Sequence, residues 1–290
     1  HMVNLDGGHI GILQSVREIP GFLALLVVYC LLIIKEHKLS ALSVLILGIG
    51  VVLTGLLPSF TGLIFTTLIM SFGFHYFETT NQSLTLQYFD KETSPIVFGR
   101  LRSYASASNI VASICILTLA PFMSYTMLYL LFGGLVIAAA GWAFMQNPVD
   151  KSLTPQAKHM VFRSRYWLYY ALTFMAGARR QIFIAFAVFL LVKKFNFSVS
   201  EIAFLFLINN IVNYFLSPFI GKCIVRYGER KVLSLEYFSL IIVFLSYSVV
   251  DSKILAAVLY ILDHIFFNFA IAIRTFFQKI ADPADIAPSM

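Results

Sequence analysis

The stretch 221-GKCIVRYGERKVL-233 packs five charged side chains and two glycines into thirteen residues, and it stands between two apolar runs at 200–220 and 232–250. Each flanking run is about 20 residues long, the length an α-helix needs to cross a hydrocarbon layer at 1.5 Å per residue. A short polar connection between two such runs predicts an antiparallel pair of spans. Gly221 would let a neighbouring helix approach closely and Gly228 would make the tight turn. Arg226, Arg230 and Lys231 could hold helix C-termini or carboxylates at that face.

Working outward with the same ruler gives seven more runs, at 12–34, 40–58, 62–82, 103–120, 124–145, 166–191 and 254–275. Turn and charge signals such as 35-KEHKLS-40, 89-FDKETSP-95, 193-KKFNFS-198 and 251-DSK-253 separate them. Composition agrees. Hydrophobic residues make up 59% of the 290, charged residues only 12%, and the mean hydropathy is +0.85. A soluble domain carries about 25% charged residues, so the chain belongs in a bilayer as an all-α polytopic protein.

Lysine and arginine set the orientation. Fifteen of the 21 lie in alternate connections, at 35–39, 85–103, 146–165, 221–233 and 274–290. By the positive-inside rule that face is cytoplasmic, with residue 1 outside and residue 290 inside. Topology thus accounts for the net charge of +7, and no nucleic-acid partner is called for. An outside N-terminus without a signal peptide predicts a further helix upstream, and the C-terminal QKIADPADIAPSM reads as an unfinished cytoplasmic loop.

The chemistry of soluble enzymes is missing from the pattern. The three cysteines lack paired spacing, and there is no P-loop, H-E-x-x-H or G-x-S-x-G. The reading is therefore a non-enzyme without metal or cofactor.

The 221–233 loop resembles the signature loop of the major facilitator superfamily, which lies between helices 2 and 3 and recurs between helices 8 and 9. Val225 stands where the family pattern usually has Asp, so the resemblance carries no charge-relay role for this loop. Placing 221–233 between helices 8 and 9 makes the nine runs helices 2 to 10, and both termini of the family's twelve-helix chain then fall on the basic face. The division that follows is an N-terminal half at 1–145 (helices 2–6, helix 1 missing), a cytoplasmic linker at 146–165, and a C-terminal half at 166–290 (helices 7–10, helices 11 and 12 missing). A weak repeat fits two such halves: LQYFDKETSP follows the fourth helix and FQKIADPADIAP the tenth, with Gln87 and Gln278 in matching positions.

The resemblance implies a cavity lined by helices 1, 4, 7 and 10. Arg179 and Arg180 fall on helix 7, inside a run where one arginine costs at least about 2.5 kcal/mol. Asp263 on helix 10 lies at similar depth and is the expected resting partner. His264 and Asn268 share one face of helix 10, and His75, Glu78 and Gln82 share one face of helix 4. In one reading an arginine fork binds an anionic solute while Asp263, Glu78 or a histidine carries a coupled proton; in the other, the arginine and Asp263 are a permanent structural pair. Ser106, Asn109 and Ser113 on helix 5, with Asn209 and Asn213 on helix 8, are expected where the two halves meet.

The expected function is secondary active transport of a small solute by alternating access, proton-coupled and for an organic anion. The protein would sit as a multi-pass monomer in the cell membrane, of the bacterial inner-membrane kind, with lipid, solute and protons as its partners. Efflux of hydrophobic or cationic compounds is the alternative within transport. A non-transporting receptor or scaffold with the same fold is the alternative of another class.

Overall fold

A computed structural model describes residues 7–149, 153–157 and 159–289. Residues 1–6 of the expected N-terminal half, and 150–152 and 158 of the expected linker, lie outside the described residues. Helices in chain order are α1 (Gly7–Leu23), α2 (Val27–Cys30), α3 (Glu36–Leu56), α4 (Phe60–Tyr88), α5 (Ser94–Leu119), α6 (Tyr125–Met145), α7 (Trp167–Lys193), α8 (Val199–Tyr227), α9 (Glu229–Val249), α10 (Lys253–Phe267), α11 (Ile271–Ile280) and α12 (Ile286–Ser289).

Among the described residues, seven helical stretches are long and apolar enough to cross a membrane: Gly11–Cys30, Glu36–Leu56, Phe60–Tyr88, Tyr125–Met145, Ser200–Tyr227, Glu229–Val249 and Lys253–Ile280. The 26-residue α5 and the 27-residue α7 match them in length. All nine apolar runs of the sequence thus coincide with helices. Their ends differ: α5 starts nine residues before the expected 103, and α8 runs seven residues past the expected 220. Charged residues mark where a chain leaves hydrocarbon, whereas a helix continues until its backbone is capped.

Local chemistry explains the caps. Ser198 accepts from the Glu201 amide while the Glu201 carboxylate accepts from the Ser198 amide, a reciprocal box that starts α8. Ser124 and Ser252 start α6 and α10 in the same way with their hydroxyls. Between α8 and α9 the entire connection is Gly228, at φ 82°, a conformation that costs other residues strain.

The contacts divide the chain into two compact units. The first comprises 1–88, 115–161 and 282–290; the second comprises 89–114 and 162–281. In the first, α3 packs against both α4 and α6. Small residues allow the approach: a Cβ on Gly73 would lie 2.5 Å from the Leu47 nitrogen, and one on Gly133 would lie 2.6 Å from Val52. Lipid tails are as apolar as the side chains, so close van der Waals packing has to hold these helices together. The segment after α11 pairs with the 153–161 stretch. Ala157 donates to the Ala284 carbonyl (2.8 Å), and Gln156 both donates to the Pro283 carbonyl and accepts from the Ala287 amide, each at 2.9 Å.

In the second unit, α7, α8, α9 and α10 share a core built from Leu191, Phe195, Phe197, Ile202, Leu205 and Leu259 with their neighbours. Beside it, α5 and α8 run antiparallel in a register fixed at four points. A Cβ on Gly221 would lie 2.4 Å from the Pro95 carbonyl oxygen and one on Gly99 2.5 Å from that of Ser217. Ser103 donates to the Tyr214 carbonyl (2.6 Å), and Asn109 donates to Asn210 (3.1 Å).

Candidate functional site

The cost of an arginine in α7 is met by an acid on a helix that the sequence reading had not connected with it. Arg179 Nη1 lies 3.0 Å from Glu236 Oε1 of α9, and the Glu236 side chain is wholly buried. Asp263, the partner expected from matched depth, is also buried, at 2% exposure, and lies within electrostatic reach of Arg179. The ion pair itself is made with Glu236. Two carboxylates therefore share one guanidinium.

Beyond this mutual contact, neither terminal nitrogen of Arg179 nor either oxygen of Glu236 has a hydrogen-bond partner among the described residues, and the buried hydroxyls of Tyr237 and Tyr247 lack one too. Buried polar groups are normally satisfied, and an ion pair in low dielectric repays its desolvation only when its remaining lone pairs and protons are filled. The unfilled capacity here lies on four of the described side chains: Arg179 of α7 and Glu236, Tyr237 and Tyr247 of α9.

Asn268 organises the adjoining layer. It begins a short 3-10 stretch, Asn268–Ala270, that separates α10 from α11. Its side-chain amide donates to Asn213 Oδ1 of α8 (2.5 Å) and to the His264 carbonyl (2.8 Å), while its oxygen accepts from Arg102 Nε of α5 (3.0 Å). A helix that loses its regular ladder at mid-length needs side chains to hold it, and such interruptions recur at functional hinges. Phe267, the residue before it, has guanidinium groups of both Arg179 and Arg102 against its ring, at 5.2 and 5.9 Å from the centroid.

The expected site residues now have places. Arg179, Asp263, His264 and Asn268 gather in the second unit. Arg180 is half-buried there without an ion pair among the described residues. His75, Glu78 and Gln82 belong to the first unit. The His75 ring fills the space beside Gly21, 3.2 Å from where a Cβ would stand, and meets Phe74 edge-on at 5.3 Å. Of the residues expected at the meeting of the halves, Ser106, Asn209 and Asn213 are buried. Asn109 reaches Asn210, Ser113 caps back onto the Asn109 carbonyl of its own helix, and Asn213 serves Asn268.

The signature loop differs from expectation in two respects. Gly221 is inside α8, where it makes room for the start of α5, and the α8 end lies at Tyr227. The carboxylate held at this face is the loop's own Glu229, bonded at 2.8 Å by Lys279 of α11. Arg226 packs over the Tyr227 ring, and Arg230 and Lys231 are exposed. The first unit has a parallel arrangement: Glu36, the first residue of α3, accepts from Gln87 near the end of α4 at 2.8 Å. In both places an acid opening one helix is tied near the end of a later one, by Gln87 in the first unit and by Lys279, the neighbour of Gln278, in the second.

Sequence reading missed Glu236, Arg102, Phe267 and Asn210. Glu236 is legible as the only charge in the run 232–250, four residues from the run's basic edge. Arg102 was counted with the loop because α5 was begun at 103. Neither signal could name a partner.

An all-helical chain with long apolar helices, two of which bury the Arg179–Glu236 ion pair between them, is a multi-pass membrane protein. The family model of the Major Facilitator Superfamily matches residues 2–287, nearly the whole chain. The protein belongs to that superfamily and is a membrane transporter. None of the curated proteins matches the chain at a significant level.

Proposed function

We propose that the protein carries a small organic anion across the membrane by alternating access, coupled to protons, with Arg179, Glu236 and Asp263 at the coupling site. The observation that carries this reading is the sharing of one guanidinium by two buried carboxylates. One guanidinium cannot neutralise two carboxylates and a bound anion as well, so in low dielectric an added anion has to be matched by a cation, and a proton on Asp263 or Glu236 supplies it. Uptake of solute and proton then become one event. Arg180, about 100° round the helix from Arg179, would face the solute path directly.

The moving bodies in this reading are the halves 1–145 and 166–290, joined by 146–165, with residue 1 outside and residue 290 in the cytoplasm of a bacterial-type inner membrane. The recurrence of Glu36–Gln87 as Glu229–Lys279 supports two related halves. His75, Glu78 and Gln82 would contribute from the N-terminal half, and Ser106, Asn109, Ser113, Asn209 and Asn213 would lie where the halves meet.

The test uses the full chain in proteoliposomes holding a pH-sensitive dye, exposed in turn to lactate, succinate and phosphate. At least one anion should carry protons with it, and D263N or E236Q should abolish that movement. Proton-free anion flux, or no flux with any of the three, would refute the reading.

A further inference from the structure

We infer that the hairpin joining α8 and α9 binds an anionic phospholipid, with the headgroup phosphate among Lys222, Arg226, Arg230 and Lys231 and the tails along the two helices. The inference stands apart from the Arg179 site and does not depend on the solute.

The charge is the first observation. All four cations are exposed. None of them has a hydrogen bond or an ion pair among the described residues, and Arg226 only rests over its neighbour Tyr227, 5.4 Å from the ring centroid. The one acid of the hairpin is withdrawn from them: Glu229 is buried, and its Oε2 is held by Lys279 at 2.8 Å. Gly228 makes the whole connection, so both helix ends, and all four cations, sit at the same end of the pair. A cluster of this kind attracts anionic headgroups with about fivefold in affinity per cation.

The second observation says which anion fits. On α8, Phe215, Phe219, Lys222 and Arg226 recur at i, i+4, i+7 and i+11, which is one face of the helix, and all are exposed. On α9, Lys231, Leu235, Phe238 and Ile242 repeat that spacing, exposed as well. The five apolar side chains of these two faces are each more than half exposed. Each face is therefore cationic at the hairpin and apolar farther from it, on helices of membrane length. A soluble anion or an acidic protein would engage the cations and make no use of the phenylalanines. A phospholipid matches both ends, because its phosphate accepts from the arginine forks while its acyl chains cover the rings.

The test titrates the purified, delipidated full chain with four probes and reads apparent affinity from the melting temperature. The probes are short-chain phosphatidylglycerol, phosphatidylcholine with the same chains, glycerol phosphate and polyglutamate. Phosphatidylglycerol should bind at least a hundredfold more tightly than phosphatidylcholine, and the two tailless anions should leave the melting temperature unchanged at the same concentrations. K222Q/R226Q and R230Q/K231Q should each weaken phosphatidylglycerol about twenty-fivefold, at about fivefold per cation, and leave phosphatidylcholine where it was. One pair lies on each helix, so either decides the matter if the other fails to fold. K222R/K231R, which keeps the charge, should preserve the preference, and F219S/F238S, which removes apolar surface and no charge, should weaken both lipids together. A wild-type preference below tenfold, or one unchanged by neutralising either pair, overturns the inference. An equal response to glycerol phosphate or polyglutamate also overturns it, since the cluster would then serve soluble anions or acidic proteins.

Discussion

Removing Arg179 should cost more stability than removing Glu236, although each breaks the same 3.0 Å contact. In R179Q two buried carboxylates lose their only described cation, and stranding a buried charge costs about 3–5 kcal/mol. In E236Q the arginine keeps Asp263 within reach, so the loss is that of one charge-assisted contact, about 1.5–3 kcal/mol. At roughly 2–4 °C per kcal/mol for a chain of this size, R179Q should lower the melting temperature by about 6–20 °C and E236Q by about 3–12 °C. The double variant R179Q/E236Q leaves a single unpaired acid, and it should melt above R179Q alone. Differential scanning fluorimetry of the purified full chain at pH 7 measures all three. Equal losses in the single variants, with the double no less stable than either, would mean that Asp263 does not share the arginine, and the coupling site as drawn would be wrong.

Further outcomes are expected elsewhere. G221V should abolish stable expression while G134V should not, because a Cβ at 221 would strike the Pro95 carbonyl at 2.4 Å and one at 134 meets nothing within 4 Å; size-exclusion profiles of the two detect the difference. Cysteines placed at Lys222 and Asn196 should label from opposite sides of the membrane, and labelling from one side would overturn the orientation. Asp90 accepts from the amides of Thr93 and Glu92 at 2.7 and 3.0 Å, which holds its carboxyl below the ordinary value of 3.8. A depressed folded pKa means stability present above the unfolded value and lost as pH falls through the folded one. The melting difference between wild type and D90A should therefore hold at pH 7 and shrink on acidification below about pH 4; a difference that grows in acid would refute the capping role.

Nine long helical runs, their order and the basic connections were legible in the residues because each is a local property. Length in hydrocarbon, hydropathy and the cost of a charge depend on a few neighbours in the chain, and the loop at 221–233 added a pattern specific enough to point to the superfamily. The same locality told that an arginine at 179 must have a partner. It could not say which, since Asp263 and Glu236 are both intramembrane acids at compatible depth, and the choice between them depends on how α7 is rotated and which helices lie beside it. Packing decided that: Gly221 and Gly99 bring α8 against α5, and the shared apolar core seats α7 on α9 and α10. The side chain of Asn268 then reaches Arg102 and Asn213, over sequence separations of 166 and 55 residues. A periodic pattern carries information about which face of a helix is polar, but the identity of the group across that face is a property of the assembled bundle alone.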